Sequence, residues 1–228
     1  FILIYTPQVF DPKFGAIKPE SSLGLIYLAS ALRDRHFEVS ILDATVGNDN
    51  YSLEETFYRE EKQSNGMIRV GMKIKDILKE AESYDVVGIT SIFTAQTRMV
   101  EEVVTSIKQN YPDKLIILGG VNARYQMQRF FNAGTDLICL SEAEETIVKI
   151  GDVLRAGKRD FSKISGLAGK EGFVNPQTKV IQNLDDLPIP AWDMHPLQKY
   201  WEIARPHGSG FTGEKVAYAS VMFSRGCP

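Results

Sequence analysis

Short apolar runs alternate along this chain with longer segments whose apolar positions recur every three or four residues. Phe1–Tyr5, Phe37–Leu42, Val86–Thr90, Leu115–Leu118 and Leu137–Leu140 consist mostly of branched or aromatic side chains. Nearly continuous apolar strands suit a parallel sheet covered on both faces, because a half-solvated strand would alternate with polar residues. Helices are predicted between them over Ser22–Arg35, Lys73–Glu82, Thr97–Asn110, Tyr125–Asn132 and Glu144–Arg155. In the third, Val100, Val103, Val104 and Ile107 fall at i, i+3, i+4 and i+7 and form one buried stripe. Strand followed by helix, five times, predicts a doubly wound α/β fold: five parallel strands in the order 2-1-3-4-5.

Two stretches break the rhythm. Asp43 to Val70 is a long interruption in which Ser52 and Glu55 form a capping box. That box predicts a short helix through about Lys62, ended by Gln63-Ser64-Asn65-Gly66. After Gly157, Ile164–Ala168 and Phe173–Ile181 flank Gly169-Lys170-Glu171-Gly172 and read as a small hairpin. Asn183 to Pro196 is a proline-punctuated connector, extended at Leu187-Pro188-Ile189-Pro190 and anchored by Trp192, Tyr200 and Trp201. Ala217–Phe223 reads as the first strand of a further domain. The expected divisions are 1–158, 159–216 and 217–228.

Composition narrows the class. The 228 residues are 43% hydrophobic and 24% charged, as in a globular protein. A net charge of −3 with no long basic run gives no reason to expect nucleic-acid binding. No stretch of about 18 apolar residues predicts a membrane span, and no signal peptide is evident. Two cysteines, Cys139 and Cys227, cannot make a disulfide framework and fit a reducing cytoplasm. Phe1 begins inside an apolar run, so both ends read as cut from a longer chain.

Candidate chemistry gathers at the ends of strands. Thr90–Ser91 closes the third and Gly119–Gly120 the fourth, where open α/β sheets bind ligands. Glycines there let backbone approach a ligand closely, although a glycine pair also makes an ordinary tight turn. Glu144 and Glu145 are explained by the macrodipole of the helix they open. Glu142 lies earlier, in the loop, and is free to accept hydrogen bonds. His36, His195 and His207 have no neighbours at zinc-ligand spacing. Thr6-Pro7 after strand one and Thr90-Ser91 after strand three exclude a phosphorelay receiver, which needs carboxylates at those places. The absence of G-x-G-x-x-G excludes a dinucleotide site.

Seven motifs then fall in one order. They are Pro19 to Ala29 (P-E-S-S-L-G-L-I-Y-L-A), Leu42-Asp43-Ala44, Asp85 to Ser91 (D-V-V-G-I-T-S), Leu118 to Ala123 (L-G-G-V-N-A), Ser141-Glu142-Ala143-Glu144, Leu184 to Ala191, and Ser224-Arg225-Gly226-Cys227-Pro228. Together they resemble the cobalamin (B12)-binding domain that precedes the catalytic barrel of B12-dependent radical S-adenosylmethionine (SAM) enzymes. The resemblance covers essentially the whole chain. It departs at Asp43-Ala44-Thr45-Val46-Gly47, which has no histidine to offer cobalt, at Asn122, where relatives often carry histidine, and at Ser141 and Ala143, where they carry glycine.

The resemblance implies a site and partners. Cobalamin's nucleotide tail is expected among Thr90, Ser91, Gly119 and Gly120, with Ser141 and Glu142 bordering the ring. The Thr6–Ile17 loop (Thr6, Pro7) and the Val121–Arg124 loop (Val121, Asn122) complete the rim. Cys227 is the expected first ligand of a four-iron four-sulfur (4Fe-4S) cluster, from a C-x3-C-x2-C set. In such enzymes SAM at the cluster yields a radical that abstracts substrate hydrogen, and methylcobalamin commonly donates methyl. The implied parent is a methyltransferase, with this segment inactive alone and partnered by the radical SAM domain of its own chain. Two other readings stay open: a degenerate scaffold that docks the catalytic domain without cobalamin, and a stand-alone corrinoid carrier, which the connector and closing strand oppose.

Overall fold

The computed structural model describes residues 1–14, 22–176, 181–204, 217–222 and 224–225. In chain order its elements are β1 (Ile2–Tyr5), β2 (Gln8–Phe10), α1 (Leu23–Asp34), β3 (Ser40–Asp43), β4 (Glu61–Lys62) and β5 (Ile68–Val70). Next come α2 (Ile74–Ala81), β6 (Val86–Thr90), α3 (Thr97–Asn110), β7 (Leu115–Gly119), α4 (Val121–Tyr125) and α5 (Met127–Ala133). Then follow β8 (Leu137–Cys139), α6 (Glu144–Arg155), β9 (Leu167–Gly169), β10 (Val174–Asn175) and α7 (Leu197–Ile203). The main sheet runs β10-β9-β8-β7-β6-β1-β3. Its five parallel strands stand in the order the apolar runs predicted, second-first-third-fourth-fifth.

Alternation along each strand sends side chains to two layers. Ile2 and Ile4 pack with α2, α3 and α5 through Ile77, Val100, Val104 and Phe130. Leu3 and Tyr5 pack the other way, with Leu25, Ala29 and Leu32 of α1 and Ile147 of α6. The strand order therefore reverses between β1 and β6, with α1 and α6 covering one face there.

One expectation is corrected, the helix after Ser52. The Ser52–Glu55 capping box forms, with reciprocal bonds of 2.9 and 3.2 Å, but no helix propagates from it. The Thr56 hydroxyl donates to the Val46 carbonyl at 2.9 Å, and the Thr56 carbonyl, which a continuing helix would use, accepts from the Gly71 amide at 3.1 Å. The remainder of that interruption supplies β4 and β5, which join β2 in a second antiparallel sheet, β2-β5-β4, with Gln63–Gly66 as the turn between β4 and β5. The predicted hairpin exists, and through it β9 runs antiparallel to β8 and extends the main sheet to seven strands. Phe161, Ile164 and Leu167 bury against Leu137 and Ile150, which gives this addition its core. Residues 177–180, the end of its expected second strand, lie outside the described residues. Among the described residues Ala217–Met222 carry no strand pairing. Among the described residues no helix is long and apolar enough to cross a membrane.

Two polar locks hold the frame. The buried Asp136 carboxylate accepts from the Ile116 amide at 2.8 Å and pairs with the ammonium groups of Lys108 (2.7 Å) and Lys170. One side chain thus ties β7, β8, α3 and the β9–β10 turn. The connector is locked at the other edge. Tyr200 of α7 donates its hydroxyl to the Asp43 carboxylate at the end of β3, and Lys199 donates to the carbonyls of Val46 (3.0 Å), Asn48 (2.8 Å) and Tyr51. Of the three predicted anchors, Tyr200 is buried and Trp192 and Trp201 are half-buried.

Replacing Asp136 by alanine strands the Ile116 amide and two lysines, and is expected to cost about 2–3 kcal/mol in urea unfolding. A smaller loss than for an exposed carboxylate such as Asp185→Ala would refute the lock. The connector carries opposed titrations. Burial pushes the Asp43 carboxyl up to about 6, against the hydrogen bonds it accepts from Tyr200 and Thr45. Burial pulls the His195 imidazole down to about 4. Between about pH 4 and 6 the folded protein keeps a proton on Asp43 that the unfolded chain has lost, so this group lowers stability as pH rises. His195 does the reverse: the unfolded chain gains a proton below about pH 6.5 that the folded state refuses, so stability falls as pH is lowered. Asp43→Asn should therefore steepen the rise of the urea midpoint from about pH 4.5 to 6.5, and His195→Gln should flatten or invert it. Equal slopes in both variants and wild type would show that neither group is linked to folding.

Candidate functional site

On the α1–α6 face, at the carboxyl ends of β1, β6 and β7, the sheet opens into a cleft of about 540 Å³. The register explains its shape. Leu3 stands opposite Gly88, Gly88 opposite Ile117, and Thr90 opposite Gly119, so these residues share one face. Two glycines in neighbouring rows remove the side chains that would otherwise fill the space between sheet and helices. Gly24, at the start of α1, faces the same cleft, and a Cβ added there meets no atom within 4 Å. A Cβ on Gly119 meets only the Cys139 Cβ, at 4.0 Å. A Cβ on Gly88 would strike the Leu3 side chain at 2.7 Å, so the floor is close-packed while the mouth is open. Leu3, Leu25, Ile117 and Ile147 make the floor apolar.

Gly120 is needed for a different reason. Its φ is +101°, and a Cβ would meet the Ser91 carbonyl at 2.4 Å. This turn lays the loop after β7 against the end of β6. A buried network fixes it there: Asn122 donates to Ser91 Oγ (2.8 Å) and Thr97 Oγ1 (2.9 Å), and Gln126 donates to Asn122 Oδ1 (3.1 Å). The Ser91 amide donates to the Gly119 carbonyl at 2.8 Å.

The predicted residues therefore separate into groups. Thr90, Gly119, Gly120, Ser141 and Glu142 come together around the cleft. Ser91 and Asn122 are buried behind it and brace its wall. Val121 projects outward, 62% exposed, on the carboxyl side of the sheet. Thr6 and Pro7 do not line the cleft: the Thr6 carbonyl accepts from Thr45 Oγ1 at 3.2 Å, and Pro7 packs under Gly71. Cys227 lies outside the described residues, as do Pro19–Ser21 of the first motif and His207. Among the described residues no group of three histidine, cysteine or carboxylate side chains is placed to hold a metal.

Several wall residues were not singled out from sequence. Gly24 and Gly88 sat inside motifs already noted, and the signal was their occurrence in otherwise apolar buried elements. Cys139 lines the cleft as a neutral thiol, pushed up to about 12 by burial and then by the nearby Glu144. Glu144 is 7% exposed at its side chain, far more buried than a helix-opening carboxylate needs to be. Arg225 explains this. Its guanidinium lies 2.6 Å from Glu144 and 3.7 Å from Glu142, above the Tyr27 ring at 4.7 Å. Glu142 also accepts from the Ile181 amide at 3.3 Å. Met222, Ser224 and Arg225 thus finish the cleft's outer wall without filling it. A second cleft, of about 770 Å³, opens between the β3 loop and α7 at the sheet's edge, away from the strand reversal.

The cleft fits a long, largely apolar group with a few polar atoms, entering at a strand reversal over glycines. The chain is 29% identical over 213 residues to an uncharacterized methyltransferase of Pyrococcus horikoshii, covering 90% of this chain and 38% of that protein. It is 26% identical over 234 residues to the cytidylyl-2-hydroxyethylphosphonate methyltransferase of Streptomyces wedmorensis, covering 90% and 42%. The chain therefore spans about two fifths of the length of these relatives. Among solved structures, the radical S-adenosylmethionine methyltransferase TsrM of Kitasatospora setae, with tryptophan and a SAM analogue bound, superposes with a TM-score of 0.55. That match has 20% identity and covers 78% of this chain and 30% of TsrM; it shows a shared fold. The B12 binding domain model matches residues 18–150, more than half of the chain and every element around the cleft except β1 and the outer wall, and by that match this protein belongs to the B12-binding domain family.

Proposed function

We propose that this chain binds cobalamin, with the nucleotide tail in the Gly24–Gly88–Gly119 cleft, as part of a radical SAM methyltransferase. The observation that carries the reading is the glycine-lined space at the strand reversal, which the packed helices leave empty of side chains. Apolar floor residues would exclude water from the buried tail, and the Thr90 and Ser141 hydroxyls would meet its polar atoms. The carboxyl ends of β6 and β7 carry Ile92, Phe93, Val121 and Tyr125, all exposed, an apolar bed suited to one face of a macrocycle. Bound cobalamin would supply a methyl group held on cobalt. No histidine stands in the loop after β3, and its Asp43 is committed to Tyr200, so this chain would hold the cofactor by its tail and edges.

Membership of the larger enzyme rests on the methyltransferase relatives and on Ser224–Pro228 as the opening of a cluster loop. On this reading Cys227 is a cluster ligand, SAM binds at that 4Fe-4S cluster, and the radical SAM domain is the partner. The natural protein is then expected to continue from Cys227 with cysteines completing C-x3-C-x2-C.

Hydroxocobalamin mixed with the protein and desalted should leave a retained visible spectrum near one equivalent. Gly24→Phe, which fills the mouth, should abolish retention. Gly24→Ala should retain it and match or exceed wild-type stability, since alanine favours a helix by about 1 kcal/mol over glycine. No retention by the wild type would support the scaffold reading instead. Retention by Gly24→Phe would place the cofactor elsewhere.

A further inference from the structure

We propose that Arg225 is a positioning residue: the Glu142 and Glu144 carboxylates and the Tyr27 ring form a socket that anchors the segment leading to Cys227 across the cofactor cleft. The inference rests on the reading of that cleft as a cofactor site. Tyr27 belongs to α1 and Glu144 to α6, the two helices that flank the opening, so a guanidinium seated on both bridges the mouth. The contact is built rather than incidental. Arg225 is 14% exposed and Glu144 7%, and a carboxylate that deep needs hydrogen-bonding partners, of which a cation offsets the lost hydration most fully. The planar fork of arginine can face two carboxylates while its flat surface lies on an aromatic ring, which lysine cannot reproduce. Acidic residues at a helix start need only the helix dipole as explanation when exposed; Glu144 is buried against Cys139 and the cleft wall, and its partner arrives from more than seventy residues away.

The segment is held at its other end as well. The Trp201 indole donates to the Tyr218 carbonyl at 2.6 Å, and Tyr218 packs on the Tyr200–Phe57 cluster. The described residues of this strap, 217–222 and 224–225, therefore run from the locked connector helix to the cleft, with Met222, Ser224 and Arg225 forming the outer wall. Cys227 stands two positions beyond the socket in sequence.

The test is hydrogen exchange by mass spectrometry on the full chain, with hydroxocobalamin dissociation measured in parallel. Glu144→Gln keeps the shape and removes the charge. It should raise exchange across 217–225 about tenfold and release hydroxocobalamin several-fold faster, while β1, β6 and β7 amides stay protected. Arg225→Lys should fall between the variant and wild type. The swapped pair Glu144→Arg with Arg225→Glu should recover part of the protection. Unchanged exchange in Glu144→Gln overturns the socket. Faster exchange with unaltered cofactor dissociation overturns its link to the cleft. Should the wild type retain no hydroxocobalamin, the cleft reading fails while the exchange result still decides whether the socket anchors the strap.

Discussion

Everything in this structure follows from one reversal. β1 pairs with β3 on one side and β6 on the other, so the crossover through α1 leads to one neighbour and the crossover through α2 returns past β1 to the other. That reversal leaves an opening above the ends of β1 and β6. A doubly wound sheet always has this opening; what makes it deep here is the choice of residues beneath it. Gly88 and Gly119 occupy adjacent rows on the α1–α6 face, and Gly24 begins the helix above. Large side chains at those three places would convert the opening into ordinary core.

The glycines are not equivalent. Gly119 and Gly24 are spaces, where a methyl group meets little or nothing. Gly120 is a conformation, with positive φ and the Ser91 carbonyl where a Cβ would be. The first kind makes room and the second aims a loop. Behind the loop, Asn122, Ser91, Thr97 and Gln126 satisfy one another, because polar atoms that deep would otherwise be stranded at a cost of about 1–3 kcal/mol each. An open cleft thus depends on a closed polar network one layer further in. Opening and bracing are separate tasks, and the motif L-G-G-V-N-A performs both within six residues.

Charge organises the periphery. Asp136, Asp43 and Glu144 are each buried carboxylates, and each receives a group from a segment distant in sequence: Lys170, Tyr200 and Arg225. These pairs pin the hairpin, the connector and the strap onto the α/β frame at three different edges. Hydrophobic contact alone would hold those segments without fixing their register, since apolar surfaces are nondirectional.

How much was readable beforehand follows the range of the forces involved. The apolar runs and the helical stripe at Val100–Ile107 announced strands, helices and their order, because burial on both faces leaves a local composition signature. The carboxyl-edge location of the cleft was readable too, through Thr90 and Gly119. Only part of the wall was, since the strand register that sets Gly88 beside Ile117 is a property of pairing. Ser52 and Glu55 signalled a helix correctly at the level of their own hydrogen bonds and wrongly beyond it, once Val46 and Gly71 engaged Thr56. Asn122 and Ser91, expected among the ligand contacts, are buried and hydrogen-bonded to each other, an arrangement that depends on which way a side chain turns. The partnership of Glu144 with Arg225 had no local trace. The sequence by itself determined the layered frame and the edge at which it opens, through burial patterns written residue by residue. Which side chains face the opening, and which distant charges close around it, only the tertiary structure decided, because those contacts exist between segments that propensity and periodicity treat as independent.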